Sequence, residues 1–140
     1  MIVKQLRQNL LAIISLLVAL TALGYNTWRN EQTEHNRNIR QAGFEMLLHV
    51  SELQKITYLA HYDRDLMQGS PRKGWTQVLV LRDLAHLMES ERPVRAESLL
   101  QAWRDNWASL GQEDDQAVEQ IDAALDNLRN DVLQTLAGLE

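Results

Sequence analysis

The sequence predicts an all-α protein: an N-terminal transmembrane helix followed by an antiparallel bundle of about four helices, the first long and continuous with the anchor. Three observations predict it. Gln8 to Trp28 contains no charged residue. Beyond Ile39, apolar residues recur at spacings of three and four, the pattern of helices that each bury one face. No segment carries the strict alternation of a half-buried strand.

Charge divides the chain in the same way. The net charge is −5, yet residues 1–40 carry five basic and two acidic side chains, so the remaining hundred residues carry −8. An acidic domain repels phosphate, which excludes nucleic acid as an expected partner. The chain has no cysteine, so disulfides, a lipidated cysteine and thiolate metal sites are excluded as well.

Leu10 to Leu23 reads LLAIISLLVALTAL. Its nine Leu, Ile and Val side chains together favour insertion by about 3–5 kcal/mol. The 21 uncharged residues from Gln8 to Trp28 rise about 30 Å as a helix, the thickness of the hydrocarbon core. Tyr25 and Trp28 stand where an interfacial aromatic belt lies. The expected layout is a short cytoplasmic tail at 1–8, a span in contact with membrane lipid at 9–28, a polar helical stalk at 29–38, and a bundle over 39–140. Lys4 and Arg7 favour an N-terminus on the cytoplasmic side, although Arg29, Arg37 and Arg40 weaken the asymmetry. The alternative is a cleavable signal peptide, with Leu10 to Leu20 as its apolar core and Ala22-Leu23-Gly24 as its cleavage site.

Residues 29–38 hold no large apolar side chain, proline or glycine, and suit a solvated stalk or a loose linker. The first bundle helix then follows Ile39, Gly43, Met46, Val50, Leu53, Ala60 and Met67, with Thr57 and Arg64 as lapses. Phe44, Leu47, Ile56 and Leu59 widen that stripe, and the helix is expected to end near Met67. Gly69 to Gly74 has the composition of a turn. A second helix is expected from about Trp75 to Ser90, burying Val78, Leu81, Ala85 and Met88 with Trp75 and Leu79 beside them. Pro93 suits the first turn of a third, whose face is Ala96, Leu100, Trp103, Trp107 and Leu110 and whose C-terminal cap is Gly111. Asp114 or Asp115 opens a fourth, carried by Val118, Ile121, Leu125, Leu128, Val132 and Leu136. No second apolar span follows Leu139, so the protein is expected to cross the membrane once.

Chemical motifs are sparse. Glu45, His49 and Glu52 share a helical face, as do His61 with Asp65, and Asp83 with His86 and Glu89. Imidazole with carboxylate can bind a divalent metal, but the di-iron bundle pattern needs a glutamate three residues before histidine on two helices, and Glu45 precedes His49 by four. A solvated polar face accounts for these groups. Trp75, Trp103 and Trp107 read either as core or as partly exposed anchors for a protein partner. Arg29, Arg37 and Arg40 are ordinary juxtamembrane charge or contacts to anionic head groups. No phosphate loop, nucleophile elbow or zinc spacing is present. No catalytic residue, cofactor or metal is therefore expected. The expected role is protein–protein interaction, with another protein or a second copy of the chain; the alternative is a sensor-like bundle that holds a small ligand or metal.

Tyr25-Asn26-Thr27-Trp28-Arg29-Asn30-Glu31, Asn36-Arg37-Asn38-Ile39-Arg40, Ala42-Gly43-Phe44-Glu45, Ala60-His61-Tyr62-Asp63 and Pro71-Arg72-Lys73-Gly74-Trp75 resemble a family of uncharacterised small bacterial proteins with one N-terminal span. The resemblance implies a bacterial inner-membrane protein and carries no activity, cofactor or substrate. The layout is also similar to the periplasmic four-helix sensor domains of chemoreceptors, which have a second span and a cytoplasmic module not seen in this sequence.

Overall fold

A computed structural model describes the backbone of residues 2–88, 92–112 and 115–139, with side chains for all of these except 2–8 and 92. Four α-helices follow in order: α1 (Ile2–His61), α2 (Pro71–Leu87), α3 (Arg92–Asn106) and α4 (Asp115–Ala137), with a single 3-10 turn at Trp107–Ser109 between the last two. There is no strand among the described residues. The chain forms two compact units, one running to Arg37 and the other beginning at Asn38.

The first unit is helical throughout, and the ten polar residues after Trp28 are helical too. Among the described residues this is the one helix long and apolar enough to cross a membrane, and none of its apolar window is buried by the chain itself. Thr21 Oγ1 donates to the Leu17 carbonyl at 2.8 Å and Thr27 Oγ1 to that of Leu23 at 3.0 Å, so these hydroxyls are satisfied within the helix.

In the second unit, Ile39, Ala42, Met46, Val50, Leu53, Ile56 and Ala60 line the inner face of α1 and join one core with Val78, Leu81, Ala85 and Met88 of α2 and its connection. Ala96, Leu99, Leu100 and Trp103 of α3 and Val118, Ile121, Leu125, Leu128 and Val132 of α4 complete it. Helices α1 and α4 are antiparallel: Arg40 donates to the Leu139 carbonyl, Arg129 to Gln54 and Tyr58 to Asp122. His49 joins α1 to α2, while α3 packs on both α2 and α4. Each helix thus buries one stripe against the others, as the three-and-four spacing requires.

The boundaries depart from expectation in ways that have local causes. Helix α1 ends at His61, six residues before Met67. Arg64 takes φ 53°, and Asp65 Oδ1 accepts from the amides of Met67 and Gln68, both at 3.0 Å, forming a turn that competes with the helix. Gly69 then returns against the end of α1, where a Cβ would stand 2.4 Å from the Ala60 nitrogen. Met67 is 85% exposed in consequence and belongs to no stripe. Helix α2 begins at Pro71, inside the expected turn, because proline's fixed φ suits a first helical position. It ends at Leu87 rather than at Ser90, which lies outside the described residues. Helix α3 tightens into the 3-10 turn before Leu110, and Gly111 follows at φ 83°, a conformation glycine adopts without strain. Asp115 is the first residue of α4, and Asp114 lies outside the described residues.

Gly74 lies inside α2, where its missing side chain admits the Trp103 indole: a Cβ there would stand 2.1 Å from Cζ2 and 2.3 Å from Cη2. Gly74→Ala is expected to destabilise the bundle by about 1–3 kcal/mol through overpacking, although alanine is intrinsically the better helix former by about 1 kcal/mol. Urea unfolding checks this; an unchanged or raised midpoint would mean that the indole moves aside freely.

Candidate interaction surface

The three bundle tryptophans do not form one exposed anchor. Trp103 is wholly buried against α2, which corrects the reading of this residue as a partly exposed contact for a partner. Its Nε1 has no hydrogen-bond partner among the described residues. Trp75 and Trp107 are half-buried at the edge of the core and meet edge-to-face, ring centroids 6.2 Å apart. Such pairs add about 0.5–1.5 kcal/mol beyond area burial, and they join the start of α2 to the 3-10 turn.

The histidines are held separately. His49 Nδ1 donates to Gln77 Oε1 at 2.6 Å, a bond between α1 and α2 that involves neither Glu45 nor Glu52. His61 is buried at the end of α1, with Nε2 3.0 Å from Asp115 Oδ1. These two, with Tyr62, Arg64, Gly111 and Gln112, line a cleft of about 300 Å³. His86 Nδ1 donates to the Arg82 carbonyl at 2.8 Å and borders a shallower cleft of about 450 Å³ with Arg82, Asp83 and Glu97. Among the described residues no three His, Asp or Glu side chains come together as a metal site.

A polar seam not foreseen from the sequence runs along α1 and α4. Tyr58 Oη donates to Asp122 Oδ2 at 2.8 Å and accepts from Gln54 Nε2 at 3.1 Å. Gln54 Oε1 in turn accepts from Arg129, which also donates to Asp126 Oδ1 at 2.9 Å. Burial pushes the Asp122 carboxyl above its ordinary range, against the Tyr58 hydrogen bond that lowers it. Its Oδ1 is enclosed without a hydrogen-bond partner. The hydrogen bond to Asp122 in turn raises the Tyr58 hydroxyl, with burial and the carboxylate's charge acting in the same direction.

The outer face of α1 departs most from the expected pattern. Phe44, expected on the buried stripe, is 60% exposed, and Leu48, one turn later, is 66% exposed. At 100° per residue both lie on the side opposite Met46 and Val50. Leu133 of α4 is 46% exposed, and the antiparallel register that brings Leu136 against Gly43 sets it level with the half-buried Leu47. Single exposed apolar residues are ordinary on a folded surface, and Phe44 and Leu48 stand together as a pair at helical spacing. The angular phase of Phe44 carries this signal; its chemical type misleads.

The seam makes stability depend on pH. Because the Asp122 carboxyl is raised on folding, its contribution is fully present below the unfolded value and is lost as pH rises through the folded one. Asp122→Asn removes that loss, so the stability of the variant relative to the parent is expected to increase between about pH 4 and pH 7. Urea midpoints across that range test it, and parallel curves for the two proteins would count against it. Compared with known proteins, the chain matches no family model, no curated protein and no solved structure.

Proposed function

We propose that the chain is a single-pass, non-enzymatic protein of the bacterial envelope that presents its helical bundle to a protein partner. The observation that carries this reading is the stretch from Leu10 to Leu23, helical and exposed along its whole length. A helix that is apolar all round and that the chain itself leaves uncovered needs lipid as its solvent. Lys4 and Arg7 precede the span, which favours a cytoplasmic N-terminus and a periplasmic bundle in the inner membrane.

The polar groups of the bundle support a binding role over a catalytic one. His49 is spent on Gln77, and Tyr58, Gln54, Arg129 and Asp126 are spent on one another across the α1–α4 seam. Phe44 and Leu48 are among the large apolar side chains left outward, and they stand at one-turn spacing on the same face of α1, as side chains that a partner covers do. A second reading, small-ligand binding, rests on the cleft beside His61 and Asp115. Retention of a stoichiometric small molecule by the purified full chain, lost in His61→Ala, would move that reading ahead.

The anchor is tested by substitution. An arginine at the bilayer centre is unfavourable by about 2.5–3.5 kcal/mol, against about 3–5 kcal/mol of favourable insertion from the aliphatic side chains. Leu16→Arg combined with Leu20→Arg doubles that cost and outweighs the gain, so the double variant is expected to move from the carbonate-resistant membrane fraction to the aqueous fraction, with the parent staying in the membrane and Leu16→Arg alone in between. An intact parent chain in the aqueous fraction sinks the reading; so does a mature N-terminus beginning just after Gly24, which would mark a cleaved signal peptide.

A further inference from the structure

The outward face of α1 carries a stripe of exposed side chains. Phe44 and Leu48 form its apolar centre. At the same angular position, one step before and one step after, stand Gln41 and Ser51, both exposed and uncharged. Lys55, also exposed, closes the stripe at one end. On its flanks stand Arg40 and Glu45. Two copies laid side by side, parallel and in register, place Phe44 on Phe44 and Leu48 on Leu48. They also bring Arg40 of each copy opposite Glu45 of the other, the five-residue offset at which flanking charges pair across parallel helices. The Leu139 carbonyl accepts one N–H from Arg40 at 2.7 Å, and a guanidinium carries five.

We infer that this face is covered by a second copy of the chain, parallel to the first, when both are held in one membrane. The inference rests on the anchor proposed above. Two helical turns from each copy cover far less than the roughly 1,200 Å² buried by stable interfaces between free proteins. Confinement to one bilayer raises the local concentration of the second copy as a tether does, and supplies what the small area lacks. Free bundles therefore stay monomeric, and anchored ones pair.

The absence of native cysteine makes the test direct. Gln41→Cys and Ser51→Cys flank the centre of the face and leave both apolar side chains in place, and Ala123→Cys puts a thiol on the exposed surface of α4 as a control. Each full-length variant is oxidised mildly in native membranes, and the fraction recovered in the pellet is recorded alongside. The expected result is a disulfide-linked dimer at positions 41 and 51, at least about tenfold more abundant than at position 123. Glu45→Arg is expected to reduce the Ser51→Cys crosslink several-fold, and Arg40→Glu combined with Glu45→Arg to restore it. Chains that pellet with the membrane but crosslink equally at all three positions, or at none, overturn the pairing and leave the anchor standing. Chains found in the aqueous fraction overturn the anchor and the pairing with it.

Discussion

The Trp103 indole fills the space that the absent Cβ of Gly74 leaves between α2 and α3, and the rest of the bundle is arranged around that contact. Burying an indole removes about 150–250 Å² from water, worth about 4–6 kcal/mol at 25 cal/mol/Å². Leaving its N–H without a partner costs about 1–3 kcal/mol, so burial prevails even with Nε1 unsatisfied. The contact requires α2 to begin early enough for Gly74 to lie in regular helix, and Pro71 at its first position provides that start. It also fixes the phase of α3. The 3-10 turn that follows places Trp107 against Trp75, a second indole contact between the same two regions.

The α1–α4 pair is controlled differently. Its inner face is aliphatic, and aliphatic stripes of similar side chains tolerate sliding by a turn. The polar seam does not: a one-turn slip would separate Tyr58 from Asp122, Gln54 from Arg129, and Arg40 from the Leu139 carbonyl together. The half-buried Asp122, whose carboxyl is pushed upward by desolvation, is the least favourable member of this seam. Its presence is consistent with polar groups that contribute register rather than stability. By fixing how α1 is turned against α4, the seam also decides which residues of α1 face away from the core, and these are Phe44 and Leu48.

Much of this was legible from spacing. The stripes of α4 and α2, and that of α1 from Ile39 to Ala60, are buried as the three-and-four periodicity requires. Phe44 resembles core because it is an aromatic residue beside an apolar stripe, while its angular position lies on the opposite side. Trp103 stays open between core and contact on spacing alone because the deciding feature, a glycine 29 positions earlier in sequence, acts only once α2 and α3 are aligned. Spacing carries α1 too far because Leu66 and Met67 continue an apolar pattern, while the Asp65 side chain offers the following amides a turn. The Tyr58–Asp122 bond joins residues 64 positions apart, and no local pattern reports it.

An outward Phe44–Leu48 pair raises a problem of balance. A larger apolar face would pair free chains before they reached a membrane and would make the unanchored protein prone to association. A smaller one would gain nothing from confinement. Two side chains at one-turn spacing fall between these limits: too little area to hold two freely diffusing bundles, yet enough to hold two that share a bilayer. The flanking Arg40 and Glu45 sharpen the choice, because each meets its opposite charge when two copies lie parallel and in register. The acidic character of residues 41–140 makes free bundles repel one another weakly, and at this face the Arg40–Glu45 contacts act against that repulsion while Lys55 meets its own copy at the end of the stripe.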